Sequence, residues 1–157
     1  MTTIPPQQRI ETDLKAALKA GEKERLSTLR MLLTEIKNER IRRIAEVDEA
    51  GFVALVRKSI KQREESISQY QQAGRNELAA KEAAEIKVLS AYLPPQVDEG
   101  EIRAAVQALV DERGLAGPAS IGVVMKEMLA RFGSSADGAT INRIAREVLA
   151  GGAGGKG

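Results

Sequence analysis

The sequence contains no cysteine and no histidine. The missing cysteine excludes disulfides, thiolate metal sites and a cysteine nucleophile. The missing histidine excludes a Ser-His triad, a histidine-ligated metal and a histidine general base. Because these two absences remove most of the usual enzyme chemistries, we expect no catalytic residue, no metal and no cofactor.

Aromatic residues make up only 3% of the chain, so its core must consist of Leu, Ile, Val, Ala and Met. Strands favour the aromatic and β-branched side chains, whereas Leu, Ala and Met favour helices. The composition therefore predicts an all-α protein in which helices pack on helices.

Long apolar runs are also missing, since no segment approaches the roughly 20 apolar residues that cross a bilayer. The first residues, Met1-Thr2-Thr3-Ile4-Pro5-Pro6, have neither the basic region nor the apolar region of a secretory signal peptide. We therefore expect no membrane partner and, by default, a cytoplasmic location.

Apolar residues recur with helical spacing in seven segments. Gly21, Gly74 and Gly114 follow three of these segments, where a left-handed residue commonly ends a helix. Asp48 and the Asp98–Glu101 pair precede two others and predict amino-terminal caps. Pro94-Pro95 interrupts the pattern. We predict an N-terminal four-helix unit over residues 1–94, a C-terminal three-helix bundle over 95–150, and a disordered glycine-rich tail over 151–157.

Basic residues are concentrated in one part of the chain. Residues 37–63 contain eight basic and four acidic side chains, although the net charge of the whole protein is only +2. Arg30 and Lys37, seven residues apart, share one face of the second helix. This stretch is consistent with a phosphate-contacting surface for RNA, but also with a solvated helix face containing ordinary pairs such as Glu39–Arg43.

The acidic residues leave a similar choice. Glu82 and Glu85 are close enough for paired-carboxylate chemistry or metal binding. Intrahelical pairs such as Lys61–Glu65 and Lys81–Glu85 explain the same residues as surface, and we favour that interpretation because no further ligands converge on them.

Several runs, taken together, resemble the YqeY family, and the resemblance covers nearly the whole chain. These runs are Leu29-Arg30-Met31-Leu32, Glu35-Ile36-Lys37-Asn38, Lys61-Gln62-Arg63-Glu64-Glu65-Ser66, Tyr70, Ala73-Gly74-Arg75, Glu82, Glu85, Tyr92-Leu93-Pro94, Ile121-Gly122-Val123-Val124-Met125-Lys126 and Ala136-Asp137-Gly138. The sequence departs from the family pattern at Ser120 and Val123, where Asp and Lys are more common. We expect Ser120 still to cap its helix.

Members of this family resemble the tail of the B subunit of the glutamine-dependent aminoacyl-tRNA amidotransferase, a tail that grips tRNA while catalysis occurs on other domains. The resemblance implies a non-catalytic protein that binds tRNA or assists tRNA-dependent amidation, with a synthetase or the amidotransferase as a further partner. The expected tRNA-binding residues are Arg30, Lys37, Arg40, Lys61, Arg63, Arg75, Lys126, Arg143 and Arg146.

Two alternatives remain open. The protein could instead be a protein–protein adaptor in translation that makes no RNA contact and docks through a groove between its two units. A glutamine-dependent carbon–nitrogen ligase is the less favoured alternative, because the chain has no cysteine and no glycine- and serine-rich amidase segment to supply a nucleophile.

Overall fold

The computed structural model describes residues 4–154, with side chains up to residue 151. Its described residues form α-helices and short 3₁₀ turns without any β-strand, which confirms the all-α class. The helices are α1 (Pro6–Ala20), α2 (Lys23–Arg43), α3 (Glu49–Gln72), α4 (Asn76–Ser90), α5 (Glu99–Arg113), α6 (Ile121–Phe132) and α7 (Gly138–Gly154). Contacts divide the chain into two compact units, and the boundary falls between Leu93 and Pro94.

The first unit contains α1 to α4. Helix α1 packs along α2, α3 packs along α4, and α2 also contacts α4. Its core is aliphatic apart from Phe52, whose ring meets that of Tyr92 edge to face at 6.0 Å between centroids. The guanidinium of Arg9 lies over the same Phe52 ring, 5.0 Å from its centre. The one fully buried aromatic residue thus joins α3 to the end of this unit.

The second unit contains α5, α6 and α7 around a core without buried aromatic rings. Val106, Val124, Ile141 and Ile144 are fully or almost fully buried, one or more from each helix. The segment before α5 is tied to the same unit, because the Val97 amide donates to the Ser135 carbonyl at 3.0 Å.

The helix-end signals read from the sequence are confirmed where a local hydrogen bond or backbone angle decides them. Asp48 accepts from the Gly51 amide and Asp98 accepts from the Glu101 amide, each at 2.8 Å. Gly74 and Gly114 are both in the left-handed region, with φ of 71° and 62°. The conformation at these helix ends is determined mainly by the residue itself and its near neighbours in the sequence.

Two expectations about helix ends are wrong. Ser120 makes no side-chain cap, because it lies in a 3₁₀ turn and its hydroxyl donates backwards to the Ala116 carbonyl at 3.1 Å. The chain does not leave the helix at Gly151, since α7 continues to Gly154. Adding residues to an established helix is much easier than starting one, so glycines can follow a packed turn. Residues 155–157 of the predicted disordered tail lie outside the described residues.

Candidate nucleic-acid interface

Arg30 and Lys37 lie on the solvent-facing side of α2, and both side chains are exposed. Across the described part of the chain, neither side chain has an ion-pair or hydrogen-bond partner. The opposite face of the helix, with Leu29, Leu32 and Ile36, is completely buried and fixes the direction in which the two cations point. Two charges on one helix face, two turns apart and free of carboxylates, can contact successive phosphates.

Arg40 extends this face toward the end of α2 but is already paired. Its Nε lies 3.1 Å from a carboxylate oxygen of Glu46, with half of the Arg40 side chain exposed. An exposed pair of this kind contributes little to stability and exchanges readily. Arg40 is therefore available to an anion only in competition with Glu46.

Lys61 lies on α3, exposed and also without a partner among the residues described. One turn earlier, Lys58 borders a cleft of about 210 Å³ between α2 and α3 that Glu35 also lines. Burial raises the pKa of Glu35, and the charges of Arg63 and Lys58 oppose that rise. The cations of α3 thus include the solvated Lys61 and two groups, Lys58 and Arg63, whose charges stabilise the half-buried carboxylate of Glu35.

Arg63 differs from every other predicted site residue because it is buried, with 7% of its side chain exposed. Its Nε donates to Glu85 of α4 at 2.8 Å, and its Nη1 donates to the Ser59 carbonyl at 3.1 Å. Its Nη2 lies 3.6 Å from the sulfur of Met31 on α2. Arg63 therefore joins α2, α3 and α4 from inside and cannot reach a phosphate, so the structure removes it from the predicted RNA surface.

The same contact decides the interpretation of the acidic residues. Glu85 is bound to Arg63 of another helix and 13% of its side chain is exposed, so it is neither a solvated surface group nor half of a paired-carboxylate site with Glu82. No group of three or more possible metal ligands occurs among the residues that were placed.

Glu39 forms the intrahelical ion pair that its spacing from Arg43 predicts. Arg43 donates to Glu39 at 2.8 Å across one helical turn, and Arg42 also donates to it. The hydrogen bond from Arg43 is the main cause that lowers the pKa of Glu39. This confirms the predicted i,i+4 pair and shows that Arg42 and Arg43 share one carboxylate, which offsets one of their two charges.

Arg75 lies outside these clusters, between α3 and α4. Its Nε is 3.2 Å from a Glu77 oxygen, and both side chains are more than half exposed. The pair is local and solvated, so it neither fixes Arg75 in place nor excludes it from contact with an anion.

The predicted cations of the second unit also include both paired and unpaired side chains. Lys126 of α6 is exposed and has no partner in the described region. Arg143 of α7 donates to Glu99 at 2.6 Å and to Glu147 at 3.3 Å, and both hydrogen bonds raise its pKa. Arg146 donates to the amide oxygen of Asn142 at 2.8 Å, which leaves its charge uncompensated.

A hydrogen bond that the sequence did not predict closes the first unit. The Tyr92 hydroxyl donates to Asp13 of α1 at 2.6 Å, across 79 positions of the chain. Burial, followed by this hydrogen bond, raises the pKa of Tyr92 to about 12. Tyr92 therefore links the end of the first unit to α1, a structural role that its position before two prolines did not predict.

No helix in the described chain has the length and apolar character needed to cross a bilayer. The described residues form an all-α protein of two helical units. Five of its predicted site residues are exposed cations without a carboxylate partner in the described region: Arg30, Lys37, Lys61, Lys126 and Arg146.

Comparison with known proteins assigns this helical protein to a family. The family model described as Yqey-like protein matches residues 7–149. The chain therefore belongs to the YqeY-like family, as its sequence motifs indicated.

Among curated proteins, the chain is similar to three fungal proteins that share the name "altered inheritance of mitochondria protein 41, mitochondrial". Identity is 30% with the protein of Pyrenophora tritici-repentis, over 90% of this chain and 79% of the relative. It is 35% with that of Lachancea thermotolerans, over 69% of this chain and 60% of the relative. It is 36% with that of Kluyveromyces lactis, over 65% of this chain and 57% of the relative. The chain thus spans little more than half of the last two relatives.

These names contradict the predicted cytoplasmic location, because they describe mitochondrial proteins. The prediction was wrong because it tested only for a secretory signal and a membrane span. Mitochondrial targeting relies on neither of them.

Proposed function

We propose that this protein binds tRNA without catalysing a reaction on it, as an accessory to tRNA-dependent amidation. The observation that carries the proposal is the pair of exposed, unpaired cations, Arg30 and Lys37, on one face of α2. Membership of the YqeY-like family, together with the resemblance of that family to an amidotransferase tail, supports tRNA as the RNA in this proposal.

The chemistry of the surface favours contact with the phosphate backbone over recognition of bases. The protein has only two Tyr and two Phe residues and no Trp. Phe52 is fully buried and Tyr92 is engaged with Asp13, so neither offers a ring on which bases can stack. Affinity would then come from Arg and Lys, with little dependence on sequence.

The proposed surface is smaller than the set read from the sequence. Arg63 is excluded by its burial against Glu85. Arg40, Arg75 and Arg143 can contribute only by exchanging a carboxylate partner for a phosphate, so we assign them a secondary role. Arg30, Lys37 and Lys61 of the first unit and Lys126 and Arg146 of the second form the primary set.

A charge-matched pair of variants tests the assignment. The triple variant Arg30→Gln, Lys37→Gln and Lys61→Gln removes three exposed cations of the primary set. The triple variant Lys15→Gln, Lys19→Gln and Lys87→Gln removes three exposed cations elsewhere in the first unit, so both variants have the same net charge. By fluorescence anisotropy with labelled tRNA, we expect the first variant to bind about tenfold more weakly at low salt and the control to lose much less. Equal losses would mean that net charge, and not this surface, determines binding.

A second proposal concerns organisation: that the two units, α1–α4 and α5–α7, are separate domains. Each has its own buried cluster, one built around Phe52 and the other aliphatic apart from Met128 and the partly buried Met125 and Phe132. We also propose that the protein associates with an amidotransferase or a synthetase. If this partner still co-purifies with the protein after RNase treatment, the two are in direct contact and are not held together only by a shared tRNA.

A further inference from the structure

Ile44, which follows the last residue of α2, is unusual in both backbone and exposure. Its φ is 54°, and it is the one non-glycine residue with positive φ in the described chain. A β-branched side chain is strongly disfavoured in this left-handed conformation, where Gly or Asn normally ends a helix. The side chain does not compensate by burial, because 91% of Ile44 is exposed.

Ile44 does not stand alone on this surface. Ile41, three residues earlier and on the same side of α2, is 74% exposed. Both isoleucines border an open cleft of about 710 Å³, together with Lys37 and Arg40 of α2, Ala45 and Glu46 after it, and Gln7 of α1. The chain thus combines local backbone strain with exposed aliphatic surface at one concave position, and neither feature helps this chain to fold.

The size and charge of the surface indicate what covers it. A stable dimer buries about 800 Å² per partner, and two isoleucine side chains provide only a small part of that area, so a second copy is a poor fit. RNA gains nothing from aliphatic side chains that cannot stack with bases. The cleft is lined by two basic residues, Lys37 and Arg40, against one acidic residue, Glu46, and Lys37 has no carboxylate partner in the described structure. The complement is therefore apolar, negatively charged and small.

We propose that this cleft, defined by Ile41, Ile44, Lys37 and Arg40, is a docking site for an acidic amphipathic helix of a partner protein. The apolar side chains of such a helix, at i, i+3 and i+4, would cover Ile41 and Ile44. Its carboxylates would contact Lys37 and replace Glu46 at Arg40, whose present pair is half exposed. This docking site is additional to the proposed tRNA contact, although the two share Lys37.

The test uses the full chain and two synthetic amphipathic peptides of about four helical turns. One peptide has Leu on its apolar face and Glu elsewhere on its surface, and the other has Lys in place of each Glu. By fluorescence anisotropy, we expect saturable binding of the acidic peptide and at least about tenfold weaker binding of the basic one. The variants are Ile44→Asn and Ile41→Ser, and the control is Leu18→Ser, which removes an aliphatic side chain that is 56% exposed elsewhere in the first unit.

We expect Ile44→Asn and Ile41→Ser to weaken binding of the acidic peptide about tenfold or more, because each loses a buried aliphatic contact. We expect Leu18→Ser to leave it unchanged. Because Asn tolerates the left-handed conformation, Ile44→Asn should also raise the Tm by roughly 2 °C or more, which a purely structural role for Ile44 would not produce.

Three results would overturn the proposal: no saturable binding of the acidic peptide, equal binding by Ile44→Asn and the unmodified protein, or a lower Tm for Ile44→Asn. Measuring tRNA affinity on the same variants separates the two proposals. Loss of tRNA binding without any effect on the peptide would mean that the cleft belongs to the RNA surface. Unchanged tRNA binding with loss of peptide binding supports a separate docking site.

Discussion

Arg63 is the residue whose role in the structure differs most from the role that the sequence predicted. In the sequence it is one of eight basic residues between positions 37 and 63, with nothing to distinguish it. In the structure it is buried, and it binds a carboxylate 22 residues further along the chain. Helical spacing identifies neighbours three or four residues apart and contains no information about this pairing between α3 and α4.

The first prediction concerns the partner of Arg63. We expect Glu85→Gln to lower the free energy of unfolding by about 3 kcal/mol, because it leaves a buried guanidinium without its counter-charge. Glu82→Gln, three residues earlier and without a side-chain partner among the described residues, is the control and should change stability by about 0.5 kcal/mol or less. Urea unfolding followed by circular dichroism measures both.

The double variant Arg63→Met, Glu85→Leu should recover much of the loss, since apolar side chains of similar volume can replace a buried ion pair. If Glu85→Gln behaves like Glu82→Gln, then the Arg63–Glu85 contact is not a structural element of the first unit.

The second prediction concerns Tyr92, whose hydroxyl donates to Asp13 at 2.6 Å. We expect Tyr92→Phe to cost about 1 kcal/mol at neutral pH, because Phe keeps the ring contact with Phe52 and loses the hydrogen bond. The pH dependence has a definite sign. An unfolded tyrosine ionises near pH 10, and the pKa of Tyr92 in the folded protein is about 12.

Between these two values the unfolded chain loses its proton first, so the contribution of Tyr92 is complete below about pH 10 and falls as the pH rises toward 12. The stability difference between the natural protein and Tyr92→Phe should therefore shrink over this range, as measured by urea unfolding at a series of alkaline pH values. A difference that grows with pH would contradict the assignment of a raised pKa.

At the scale of helices, the sequence predicted the most where the cause is local. Asp48 and Asp98 each accept a hydrogen bond from a free amide in the first turn of the helix that follows, and glycines occur at helix ends where a left-handed residue is required. The sequence wrongly predicted a cap at Ser120 and gave no sign of the left-handed backbone at Ile44, because the cause of each lies outside the local sequence. A serine before a helix usually caps it, and an isoleucine usually avoids positive φ. In this structure neither residue follows its usual preference.

Asp98 and Ser120 provide the third prediction, as a matched pair of residues preceding helices of the second unit. We expect Asp98→Ala to cost about 1 kcal/mol, since the Glu101 amide loses its acceptor. Ser120→Ala should change stability by less than about 0.5 kcal/mol, because its hydroxyl caps no amide. Thermal unfolding compares the two variants, and equal losses would contradict the capping assignment.

Hydrogen exchange on Asp98→Ala also tests the proposed division into domains. If the two units fold separately, exchange should accelerate for amides of α5 to α7 and stay unchanged for those of α1 to α4. Uniform acceleration across both units would show that they unfold as one.

For the whole molecule, the composition predicted the class of fold and the motifs predicted the family, because both depend on properties of the entire chain. The candidate surface was predictable only in part. Exposed cations without partners, such as Lys37 and Lys126, are distinguishable from paired ones only when the acidic residues around them have been placed. The names of the relatives also corrected the cytoplasmic location, which no feature of the folded helices addresses.

The salt dependence of tRNA affinity tests the central claim most directly. A protein that neutralises several phosphates releases their counterions, so the logarithm of the association constant falls linearly with the logarithm of the salt concentration. With Arg30, Lys37 and Lys61 as the main contacts of the first unit, we predict a slope of about −2 to −3 or steeper between about 50 and 200 mM salt. The triple variant that lacks these cations should have a slope shallower by about 2 to 3. Undetectable binding at about 50 mM salt, or a slope near zero, would contradict the proposed function.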